Sequence, residues 1–95
     1  MVTHVVMFRL KDRSAENIAE TAALLRGMAG RIPELLEIEV GIDELFSPRS
    51  YDIALRTRHE SFAALDAYNV HPVHEEVVVH MKRVLDASVS VDFTA

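Results

Sequence analysis

Ninety-five residues, 49 % of them hydrophobic and 26 % charged, have the balance of one soluble globular domain spanning residues 1–95, with no room for a second core. Fifteen acids against ten Lys and Arg give a formal charge of −5, and no basic run exceeds Lys82-Arg83, so the surface lacks the clustered cations that nucleic acid requires. The chain has no cysteine, which excludes disulfides, thiol catalysis, iron–sulfur clusters and thiolate zinc sites.

A chain this short buries only roughly 60 to 65 % of its unfolded surface, so association with a second copy is expected. The N-terminus lacks the basic opening and apolar block of a signal peptide, and the longest apolar run is too short to span a bilayer. The expected compartment is the cytoplasm, with no membrane partner.

From Thr3 to Leu10 the residues alternate. His4, Val6, Phe8 and Leu10 fall on one face, and Thr3, Val5, Met7 and Arg9 on the other. Apolar side chains on both faces predict a central strand covered on each side. Ser14 offers a helix N-cap and Glu16 complements the first-turn dipole, while Ile18, Ala22, Leu25, Ala29 and Ile32 recur at helical spacing until Gly30 and Pro33. Leu36, Ile38, Val40 and Ile42 then alternate with Glu37, Glu39 and Gly41, a strand with one buried and one polar face.

A loop from Asp43 to Ser50 leads to a third strand through Tyr51, Ile53, Leu55 and Thr57, whose other face shows Asp52, Ala54 and Arg56. Arg56 is expected to lie opposite a glutamate of the second strand. Glu60 to Tyr68 predicts a short helix with Phe62, Leu65 and Tyr68 inward. His71-Pro72 then resets the chain, because a residue before proline avoids helical torsions while proline suits the first helical position. His74, Val77, Val78, Met81, Val84 and Leu85 trace the apolar stripe of the next helix, and Val89, Val91 and Phe93 alternate through a fourth strand from Ser88 to Thr94.

Strand, helix, strand, strand, helix pair, strand is the split arrangement of an α+β, ferredoxin-like subunit: a four-stranded antiparallel sheet with helices on one face. The other face would carry Val5 and Met7 uncovered, and a second copy of the sheet is the natural cover.

The early His4, this element order and above all Tyr68-x-x-His71-Pro72-x-His74 resemble the stress-responsive A/B barrel (Dabb) domain family over essentially the whole chain. The resemblance implies a homodimer in which two subunits pack sheet to sheet as a dimeric α+β barrel. A plant polyketide cyclase of that family closes a linear polyketide by an intramolecular aldol step, with retention of the carboxylate. Its tyrosine and last motif histidine act in the pocket, which by matching position implies Tyr68 and His74 here; His4 matches a pocket histidine on its first strand.

Read from the residues themselves, His74 is either a general base, with Tyr68 hydrogen-bonding a developing enolate, or a core histidine held by packing. His71 suits a helix cap better than a ligand contact, although it is carried among the candidate ligand-binding residues with His4, Phe8, Ile53, Val78 and Met81. His59 and His80 are expected at the surface or its boundary. No metal site is expected, because His71 and His74 lack the i, i+4 spacing of helical zinc enzymes, and no cofactor motif is present.

Two further readings stay open: a non-catalytic dimeric stress-response protein, and a cofactor-free monooxygenase-like or haem-handling activity. The leading expectation is a binder of a small hydrophobic or keto ligand with cofactor-independent cyclase-like lyase chemistry.

Overall fold

In this computed structural model, which describes all 95 residues, the chain runs β1 (Val2–Leu10), α1 (Ala15–Arg26), β2 (Glu37–Ile42), β3 (Ile53–His59), α2 (Phe62–Asn69), α3 (Pro72–Val84) and β4 (Leu85–Thr94). The strands form one antiparallel sheet in the order β2-β3-β1-β4, the ferredoxin-like α+β arrangement. Because antiparallel partners share a face, His4 stands beside Thr57 and Asp92, Val6 beside Leu55, and Phe8 beside Ile53 on the side covered by helices. No helix is long and apolar enough to cross a membrane.

The core is a single cluster between sheet and helices, with Leu10, Ala22, Leu25, Met28, Ile53, Leu55, Leu65 and Met81 among its buried members. Each fully buried large side chain contributes about 1.5–3 kcal/mol, which makes this layer the principal source of stability in the subunit. Ser14 caps α1 by accepting from the Asn17 amide, as its sequence position requires. The helix stops at Arg26, earlier than the apolar stripe implies. Gly30 adopts φ +74° in the turns that follow, and Met28 and Ile32 are buried from those turns while Ala29 is exposed.

Two other expectations are corrected. The third strand begins at Ile53, not Tyr51, because the preceding Asp52 is buried and engaged elsewhere: its carboxylate accepts from the Leu10 amide at 2.9 Å and from Arg13 Nε at 3.0 Å. Phe62 is 51 % exposed rather than inward, since the Ser61 cap sets it at the first position of α2, on the flank of the face that Leu65 and Tyr68 bury. Arg56 does lie opposite Glu39, and it makes loose ion pairs with Glu37 and Glu39.

The helix-free face of the sheet exposes Met7, Val89, Val91 and Phe93, in one patch with the half-buried Val5. Next to this patch Gly41 and Ala54, paired across β2 and β3, floor a concavity of about 400 Å3 closed at one end by Arg49 and Tyr51 of the β2–β3 loop.

Candidate functional site

A second cavity, about 240 Å3, opens between the sheet and the helices. β1 contributes His4, Val6 and Phe8 to its wall, α1 and the turn after it Leu25 and Met28, and β3 Leu55. α2 contributes Tyr68 and Asn69, α3 His74, Val77, Val78, Met81 and Lys82, and β4 Leu85. The larger concavity on the open face is lined by no histidine, whereas His4 and His74 both line this smaller one.

The break between α2 and α3 builds its polar end. His71 caps α3, its Nδ1 accepting from the Val73 amide at 3.1 Å, and Pro72 takes the first helical position. That geometry turns the chain so that His74, in the first turn of α3, packs on Tyr68 near the end of α2, with ring centroids 4.5 Å apart. His74 Nδ1–H donates to the Asn69 carbonyl at 2.9 Å, which leaves Nε2 as the lone-pair nitrogen of a neutral ring. Burial lowers the His74 pKa from its usual 6.5; the Asn69 hydrogen bond opposes the shift, and the nearby His4 reinforces it.

Tyr68 is fully buried, and its hydroxyl points at Met28 Sδ, 3.9 Å away. Desolvation of the phenolate pushes its pKa up to about 12, so Tyr68 is a hydrogen-bond donor at neutral pH and never an anion there. His4 reaches the same ring at 6.4 Å between centroids and bonds through Nδ1 to the carboxylate of Asp92, its register partner on β4.

His59 is the residue whose place differs most from expectation. It is completely buried, its ring centroid 4.7 Å from that of Tyr68. Its Nδ1–H donates to the Glu34 carbonyl at 2.7 Å and Nε2 accepts from Thr57 Oγ1 at 2.8 Å, which satisfies both ring nitrogens of the neutral form. Burial depresses its pKa, partly offset by the Glu34 bond. His59 therefore buttresses Tyr68 from behind. The alternation Ile53, Leu55, Thr57 continues inward to 59, so its burial was implicit in the period of the strand.

Of the candidate ligand-binding residues, His4, Phe8, Val78 and Met81 line the cavity together with Tyr68 and His74. Two do not. Ile53 is buried farther along β3, next to the concavity at the β2–β3 loop, and His71 is occupied as the α3 cap. Four residues of the site carry no expectation from sequence: strand register sets Asp92 beside His4, the turn after α1 brings in Met28, and α2 and α3 contribute Asn69 and Lys82. No three His, Asp or Glu side chains are arranged to hold a metal ion.

The chain belongs to the stress responsive A/B barrel domain (Dabb) family. The family match covers residues 2–95. No curated protein matches it.

Among solved structures, a dimeric ferredoxin-like protein of unknown function from Thermobifida fusca superposes with a TM-score of 0.87 at 24 % identity, over 99 % of this chain and 90 % of that one. A dimeric ferredoxin-like protein of unknown function from Jannaschia sp. gives 0.78 at 29 % identity, over 99 % and 98 %. Hydroxynitrile lyase from Passiflora edulis gives 0.81 at 21 % identity, over 97 % and 90 %. Dabb proteins thus share this subunit fold with proteins described as dimers and with a lyase.

Proposed function

We propose that this Dabb protein binds a small keto compound in the histidine cavity and abstracts a proton next to its carbonyl, as a cofactor-independent lyase or cyclase of the aldol type. The observation that carries the reading is the hydrogen bond from His74 Nδ1 to the Asn69 carbonyl. It fixes the tautomer, so the base nitrogen is Nε2, and burial keeps that nitrogen unprotonated at neutral pH.

His74 takes the proton. Tyr68 donates a hydrogen bond to the oxygen on which negative charge develops, a role suited to a phenol that stays protonated to about pH 12. His4, held by Asp92, orients the substrate, and Phe8, Val78 and Met81 enclose its apolar part. A fold shared with a hydroxynitrile lyase is consistent with this chemistry, since lyase and aldol steps alike need a positioned base beside an oxygen-stabilising donor.

The working unit is a homodimer formed through the open sheet face. The dimeric relatives and the exposed Met7, Val89, Val91 and Phe93 support that arrangement. A second reading, a non-catalytic dimer, is favoured by the complete burial of Tyr68, which would suit a core residue equally well.

Carbonyl α-proton exchange decides between the two. Incubating 1,3-diketones and methyl ketones with the protein in D2O and following the α-proton signal by NMR should show exchange above buffer, lost in a folded His74→Ala variant. Exchange at the buffer rate with every probe leaves the non-catalytic dimer.

A further inference from the structure

One wall of the histidine cavity carries a feature that proton abstraction alone does not require. His74, Val78 and Lys82 all line it, and they succeed one another at four-residue steps along α3. Four-residue steps keep side chains on one ridge of a helix, so this ridge carries the proposed base at one end and an ammonium at the other.

Lys82 is exposed and has no carboxylate within ion-pairing distance, although the chain has an excess of acids. It is also the one lysine or arginine on the wall, and no aspartate or glutamate lines it. Neutralising the C-terminal dipole of α3 does not account for its place, since Arg83 shares that last turn and does not line the cavity.

We infer that Lys82 is the carboxylate-recognition group of this cavity, and that the ligand is a keto acid whose carboxylate lies several bonds from its reactive carbonyl. The inference rests on the cavity reading above and adds the substrate class to it. Distance sets the separation. Eight residues of α-helix rise about 12 Å, and a long side chain leans back towards the helix N-terminus, which shortens the gap between ammonium and imidazole without closing it.

A carboxylate bound at Lys82 therefore leaves an α- or β-keto group short of His74, whereas a longer chain spans the apolar stretch past Val78 and Met81. The volume, about 240 Å3, is below the roughly 300–1,000 Å3 of pockets for drug-sized molecules, so the chain is short and unbranched or carries a single ring. Because Lys82 is exposed, a carboxylate paired with it stays hydrated on one side, so binding does not bury an unpaired charge.

Calorimetry at low ionic strength with 7-oxooctanoate, its methyl ester and pyruvate tests this on the full-length protein. The expected result is that 7-oxooctanoate binds at least tenfold more tightly than either of the others, and that a folded Lys82→Gln variant loses the preference for acid over ester. Added salt should erode the same preference. Equal affinity for acid and ester in the wild type, or a preference that survives Lys82→Gln, overturns the role of Lys82 and leaves the cavity as a keto-compound site. If neither acid nor ester binds, the cavity reading falls along with it.

Discussion

Tyr68 and His74 lie on different helices, yet their ring centroids are 4.5 Å apart, because the His71-Pro72 break folds the start of α3 back against the end of α2. The same burial acts on the two groups in opposite chemical directions. It keeps the phenol protonated and the imidazole unprotonated, so donor and base coexist across the neutral range.

That pairing predicts the pH dependence of proton abstraction. The His74 base form is populated above a pKa lying below 6.5, so exchange should rise with pH, level off before neutrality and stay flat until Tyr68 ionises near 12. The rate profile of NMR exchange between weakly acidic and alkaline buffer measures it. An inflection above 6.5 would contradict a desolvated His74 as the base.

Stability follows from the same shifts, with His59 joining His74. Both have folded-state pKa values below 6.5, so between those values and 6.5 the unfolded chain binds more protons than the folded one. Stability contributed by the neutral rings is therefore complete above 6.5 and declines as pH falls through that window. Urea midpoints should drop on going from about pH 7.5 to about pH 5.5, and the drop should be smaller in a His59→Gln variant. Identical slopes for the two proteins would mean that His59 is not held neutral by its burial.

How much of this is legible in the sequence depends on the range over which each residue is determined. The alternation of β1 and the helical stripe of α3 are local patterns, and they are enough to set His4 and Phe8, and Val78 and Met81, along the cavity. The His71 cap is equally local, since proline at 72 forces it. Asp92 is different: nothing near it in the chain says that β4 pairs with β1 so as to set it beside His4.

Ile53 shows the complementary failure. The period puts it on the correct face but is silent on how far along the strand the cavity extends. Met28 enters from a turn that follows α1, where no periodic pattern operates.

Gly41 has no evident purpose within the subunit. It sits in β2 without a positive φ, and an added Cβ would meet nothing within 4 Å, so neither backbone strain nor an internal neighbour calls for glycine. With Ala54 it floors the concavity beside the exposed apolar side chains of β4. In a two-fold dimer through this face, the recess on the β2–β3 half can receive the ridge of Val89, Val91 and Phe93 from the second copy. Gly41→Leu should then fold normally, and gain slightly from better strand propensity, while shifting dimer towards monomer by tenfold or more in dissociation constant. Sedimentation at several concentrations reads this, and an unaltered dimer would move the interface elsewhere.

Tyr68→Phe separates catalysis from packing more cleanly than any substitution at the histidines. The hydroxyl has only Met28 Sδ as a partner, at 3.9 Å, so its removal leaves no strong acceptor stranded and keeps the ring that His59 and His74 pack against. Unfolding free energy should change by less than about 1 kcal/mol. If the phenol stabilises the developing oxyanion, the α-proton exchange rate should fall roughly 10²–10³-fold, the usual effect of deleting one such donor. Full exchange activity in a stable Tyr68→Phe protein would assign the donor to another group in the cavity, with Asn69 the next to substitute.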